Sequence, residues 1–126
     1  YPDAPAYAAV TSSIDEGLIS GREILAAPDR PTAVIAQTDL LAAGVIRAAE
    51  ECGLRVPEDL SVTGFDGVEV DGLDAYELTT LVQPAVEKGR AAGAAVVAML
   101  AGEDAASVTF TCSFRTGTTA GAVPPA

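Results

Sequence analysis

Short apolar runs alternate along this chain with longer stretches whose apolar positions recur every three or four residues. "YAAVTSS" (7–13) reads as a first strand. A helix follows near Glu16–Ala27, capped by Ser13 or Asp15, with Leu18, Ile19, Gly21, Ile24 and Leu25 at helical spacing. After the loop "APDRP" (27–31), "TAVIAQ" (32–37) is a second strand, apolar on both faces and so expected to be central and parallel. Thr38 or Asp39 then caps a helix on which Leu41, Val45, Ala48 and Cys52 form one stripe, and Gly53 stops it. "LRVPED" (54–59) is a loop, "LSVTGFD" (60–66) a third strand and "GVEVDGLDAYEL" (67–78) a solvated acidic loop. "TTLVQ" (79–83) makes a fourth strand. Pro84 opens a helix to about Ala101, with Val86, Gly93, Val97 and Leu100 on its face and Gly102 as its stop. "SVTFTCSFR" (107–115) alternates as a half-buried strand does, and "GTTAGAVPPA" (117–126) reads as a mobile polar tail.

Strand–helix–strand order with short loops predicts an α/β fold around a parallel sheet. Such sheets bind ligands beyond the carboxyl ends of their strands. Gln37, Thr38 and Asp39, then Asp66 and Gly67, then Gln83 stand at those ends. None is basic. A carboxylate accepts two hydrogen bonds from vicinal hydroxyls and a carboxamide both donates and accepts, so the set suits a sugar or related polyol. A phosphate does not fit, for want of a cation or a glycine-rich phosphate loop. Two alternatives stay open: Asp66 forms an Asx-turn with Gly67, and Asp39 is a helix cap that never meets a ligand.

Charge narrows the function. The 126 residues carry 7 Lys and Arg against 18 Asp and Glu, a formal net charge of −11. Binding to nucleic acid or to anionic lipid rests on clustered cations, so this segment by itself is not expected to bind either. With no His, two distant cysteines and no nucleophile-elbow motif, neither catalysis, metal nor cofactor is expected. Cys52 and Cys112 read as reduced thiols packed like small apolar groups, which suggests a cytoplasmic protein. Aromatic residues are 5% of the chain and Trp is absent, leaving Ala and Val to supply much of the core. The chain opens on Tyr1, not Met, as an excerpt of a longer protein would.

The run "RPTAVIAQTDLLAAGVIRAAEECGLRVPEDLSVTGFDG" resembles the effector-binding region of the LacI/GalR family of bacterial transcription regulators. "LTTLVQPAVEKGRAAGAAVVAML" and "FRTGTTA" are similar to the segments that follow it there, and "DEGLISGREILAAPDRP" to the helix before it. The resemblance implies a Rossmann-like lobe of a periplasmic-binding-protein-like fold, with effector held between two lobes. Residues 1–83 would then form the carboxyl-terminal lobe, 84–106 a helix of the amino-terminal lobe, 107–116 a returning strand and 117–126 a flexible tail. It also implies roles. Asp66 matches the aspartate that binds effector hydroxyls, Gln83 a polar position lining the cleft, and Asp39 the aspartate that caps the helix. Thr38 stands where Asn is usual, and Glu16 near a position often aromatic, which points to an effector smaller or more polar than a hexose. Homodimerisation is implied through the helix 39–52, with Leu40, Leu41 and Ile46 as candidates; the alternative is that they pack on their own sheet, as Leu41 does in part, which favours Leu40 and Ile46 for a partner. DNA would be bound through a helix-turn-helix outside this segment. The alternative is the sugar-binding protein of an ABC transport system, which needs an export signal upstream.

Overall fold

The computed structural model describes residues 4–123. Its elements are α1 (Ile14–Ala26), β1 (Ala33–Ile35), α2 (Asp39–Glu51), β2 (Ser61–Asp66), β3 (Thr79–Val82), α3 (Ala85–Leu100) and β4 (Ser113–Arg115). The strands form one sheet in the order β1-β2-β3-β4. The first three are parallel, and β4 returns antiparallel with Thr80 opposite Arg115. The α/β reading and the parallel core of the sheet match the sequence expectation.

Helices α1 and α2 each start on a side-chain cap. Ser13 Oγ accepts the Glu16 N–H at 3.2 Å to cap α1, and Asp15 and Glu16 lie at the positive end of its dipole. Thr38 Oγ1 accepts the Leu41 N–H at 3.3 Å to cap α2, which ends where Gly53 turns to φ 71°. The two helices pack unusually close. A Cβ on Gly44 would run into the backbone of α1 at Ile14, Gly17 and Leu18, so only hydrogen fits there. Arg22 closes the far end with a two-pronged clamp on Glu51, at 2.8 and 2.9 Å, which holds that carboxyl below its ordinary pKa.

Beneath α2 the core is built from small and medium side chains: Ala42, Ala43, Ile46, Ala49, Leu60, Val62 and Leu78 among them. Small alanines let one helix approach α1 and the sheet together, as the aromatic-poor composition requires. Ile46 is fully buried in this core and is not a surface residue, which removes it from the candidate dimer face. The reason is that α2 is covered on two sides. The stripe of Leu41, Val45 and Ala48 meets α1, where Gly17 and Gly21 make room for it, and Ile46 joins the buried cluster with Leu60 and Val62. Leu41 is half-buried against the same core, and Leu40 is exposed.

Several expectations change. The segment 7–13 is no strand: Val10 is 88% exposed and its N–H binds the Glu16 carboxylate at 3.1 Å instead of a sheet edge. Among the described residues β1 lies at the edge of the sheet and not in its centre, and Ile35 is 87% exposed. Of the run 107–115, Ser113–Arg115 alone forms ladder, because β3 offers just Thr80–Val82 as partners. Cys52 is exposed instead of packed.

The supposed mobile tail is structural over its described part. Thr119 is fully buried; its Oγ1 donates to the Val62 carbonyl at 2.7 Å and accepts the Thr79 N–H at 3.0 Å. The Val62 N–H bonds the Thr119 carbonyl at 2.7 Å, and Gly121 N–H reaches Ser61 Oγ. These bonds serve backbone groups of β2 and β3 where the two strands do not pair with each other. Residues 124–126 of that expectation lie outside the described residues.

Candidate functional site

The carboxyl ends of β2 and β3 meet in a polar corner. Asp66 ends β2 with φ 115°, a backbone conformation that side-chain-bearing residues rarely adopt and that costs about 1–3 kcal/mol. Gly67 follows at φ 80°, where a Cβ would come within 2.8 Å of Val82. Gly67 therefore must be glycine for the two strand ends to close up. The result lifts the half-buried Asp66 carboxylate away from the ladder, and Gln83 Nε2 donates to its Oδ1 at 2.5 Å. The Asp66 carbonyl accepts the Gln83 N–H at 3.1 Å, so backbone and side chain both tie the two residues together. The Asx-turn reading gives way to this pairing, since no Asp66 side-chain bond to its own loop is present among the described residues.

Two cations adjoin the corner. Lys88, one turn into α3, donates to Gln83 Oε1, and Arg115 Nη1 stands 3.5 Å from the Gly67 carbonyl. The expectation that nothing cationic waits at the strand ends is thus corrected. Lys88 was legible in principle: α3 begins directly after Gln83, so its first turn has to face the same opening. Arg115 was not, because its place depends on how β4 registers against β3.

Asp39 is not a cap. Thr38 has that role, and Asp39, fully buried, turns its carboxylate to the β2 corner instead. Its Oδ2 accepts the N–H groups of Gly67 at 2.7 Å and Val68 at 2.8 Å, and its Oδ1 accepts Thr80 Oγ1–H at 2.6 Å. Thr38 is half-buried beside it, its hydroxyl oxygen already accepting from Leu41. Glu16 uses Oε2 on Val10, and no hydrogen bond among the described residues joins it to Asp66 or Gln83. The structure therefore brings Asp66 and Gln83 into contact and sets Asp39 behind them, with Thr38 next in sequence.

The acidic loop after Gly67 is pinned to α2, with Tyr76 Oη–H donating to Glu50 at 3.0 Å and Arg47 reaching the Asp71 carbonyl at 3.2 Å. Glu69, Asp71, Asp74 and Glu77 point to solvent, and no group of His, Cys, Asp and Glu suited to a metal occurs among the described residues. On the sheet face away from α2, Gln37, Thr63, Phe65, Leu81 and Phe114 line an open groove of about 630 Å³. Asp66, Thr38 and Gln83 do not line it. No helix among the described residues is long and apolar enough to cross a membrane.

Comparison with known proteins places the chain in a family. The model of a periplasmic binding protein-like domain matches residues 1–115. The HTH-type transcriptional regulator YvdE of Bacillus subtilis is 49% identical over 70 residues, which are 56% of this chain and 22% of that protein. A LacI transcriptional regulator from a Rhodococcus species superposes with a TM-score of 0.81 at 29% identity, over 90% of this chain and 42% of the other. A LacI family regulator from Arthrobacter sp. FB24, solved in complex with lactose, superposes at 0.74 with 28% identity, over 86% of this chain and 42% of its own. The chain thus spans about a quarter of the curated relatives' length and about two fifths of the solved chains. It belongs to the periplasmic binding protein-like domain family, among the effector-binding regions of LacI/GalR type.

Proposed function

We propose that this chain is the effector-sensing part of a LacI-type transcriptional regulator and binds a small sugar or related polyol in a cleft between two lobes. The observation that carries the reading is the Asp66–Gln83 pair, held at the joined ends of two parallel strands with the carboxylate half open to solvent. Asp66 accepts from ligand hydroxyls, and Gln83 orients it. Thr38 contributes its O–H proton, since its oxygen alone is taken up in capping. Glu16 contributes the carboxylate oxygen left free by Val10. Lys88 and Arg115 extend the chemistry to effectors that also carry an acid group, whereas the sequence expectation excluded phosphate for want of a cation. The lactose-bound neighbour supports a sugar, and relatives that are regulators weigh against transport. The complete protein would act in the cytoplasm, with DNA bound through a helix-turn-helix outside this segment. It would dimerise through α2, with Leu40 as its exposed contact. Ligand shifts DNA affinity only through a difference in its affinity for two lobe arrangements.

With half the cleft supplied by the other lobe, the isolated chain is expected to bind sugars more weakly than micromolar by calorimetry. Micromolar binding would contradict a shared cleft.

Residues 84–106 are assigned to that other lobe. α3 supports this: it buries none of its residues, and Val86, Val97 and Leu100 are 60%, 68% and 84% exposed. Gly93 meets nothing within 4 Å. Gly93→Leu is therefore expected to leave the isolated chain's stability within about 0.5 kcal/mol of the parent or raise it. In the complete protein it should lower stability by about 1–3 kcal/mol through overpacking. Equal melting shifts in both contexts would refute the assignment.

A further inference from the structure

We infer that Asp39 is a positioning residue for the effector corner: a buried carboxylate on α2 that fixes the backbone of Gly67 and Val68 and so sets the direction of Asp66. The inference builds on the reading of Asp66 as the effector contact. Three observations converge on it. Asp39 is fully buried, yet its carboxylate bonds go outward from its own helix, two to successive amides of the corner and one to Thr80. Asp66 immediately precedes those amides and keeps an unfavourable φ of 115°, which persists only if neighbours over-determine it. Gly64 is the third. It lies inside β2, where glycine normally weakens a strand, and a Cβ there would collide with Asp39 Oδ1. The strand gives up a side chain to leave the carboxylate its seat.

A cap or a plain core residue would show none of this. The cap position is filled by Thr38, and a core residue of this size would be apolar. Charge is what the site uses: one carboxylate oxygen accepts two convergent N–H groups, and ionised acceptors form roughly twice as strong a bond as neutral ones. The same residue separates Thr38, at the opening, from Leu40, on the exposed face of α2. The Asp39 side chain thus ties the corner directly to the start of α2.

Hydrogen–deuterium exchange of the full-length protein tests this, read at the Gly67 and Val68 amides with Ala48 and Ala49 in α2 as internal references. Asp39→Ala should speed exchange at Gly67 and Val68 about a hundredfold beyond any change at the references. Asp39→Asn, whose oxygen still accepts both amides while its NH₂ turns to Thr80 Oγ1, should restrict the rise to about tenfold. If Asp39→Ala does not fold, Asp39→Asn and Thr80→Val decide, each with a selective rise of about tenfold. Unchanged exchange, or equal acceleration at all four amides, would overturn the inference and leave Asp39 a core residue. Asp66→Asn should leave Gly67 and Val68 protected, so a mistaken effector role for Asp66 shows up separately, as unaltered ligand affinity in that variant.

Discussion

Asp66→Ala in the complete protein should weaken effector binding by roughly 2 kcal/mol or more, because ligand hydroxyls would be buried without their acceptor. That is about a thirtyfold rise in Kd, measurable by calorimetry with whichever sugar or sugar acid stabilises the protein in a thermal screen. Asp66→Gly sharpens the test. Glycine takes up positive φ without strain, so this variant should be as stable as the parent or more stable by about 1 kcal/mol. Its affinity should fall as far as that of Asp66→Ala. Loss of binding with gain of stability is the signature of a side chain kept for a ligand at a conformational cost. An unchanged Kd in both variants would remove Asp66 from the site.

How much of this was legible beforehand depends on what each feature needs. Helices α1 and α2 and strand β2 are specified locally, by caps, by a glycine stop and by apolar runs, and their limits agree with the sequence reading to within about two residues. Which residues stand at the strand ends also follows from chain order, which is why Asp66 and Gln83 were found together. What failed was non-local. Thr119 looked like part of a polar tail, but its hydroxyl and backbone fill the unpaired side of β2 and β3, forty and fifty-seven residues away. Ile46 lay off the one stripe visible in sequence, and a second covered face cannot be seen without knowing that α1 lies across α2. Asp39 was misread for the same reason. An aspartate at a helix start satisfies the local rule for capping, and a distant loop with two free amides overrode it. The familial resemblance carried the fold further than periodicity alone, yet it too assigned Asp39 to the helix end.

The α1–α2 contact gives the largest stability effect we expect. Gly44→Ala should destabilise the protein by about 3 kcal/mol, since the new methyl meets backbone atoms of Ile14, Gly17 and Leu18 and not a side chain that can swing away. Relief would need α1 to lift, and α1 carries Ile24 and Leu25 into the buried interior. Lifting it would also part Arg22 from Glu51. In a domain this size the thermal midpoint should drop by about 10 °C, read by circular dichroism, with a matching fall in urea midpoint at constant slope. Gly93→Ala is the internal comparison: it adds the same methyl to a helix where nothing lies within 4 Å, and should cost nothing or stabilise the isolated chain by up to about 1 kcal/mol. Two chemically identical changes on two helices then differ in sign for one physical reason, whether backbone already occupies the space. Equal effects would mean that α1 does not rest on Gly44, and the seating of α2, from which Asp39 reaches the Gly67 and Val68 amides, would have to be redrawn.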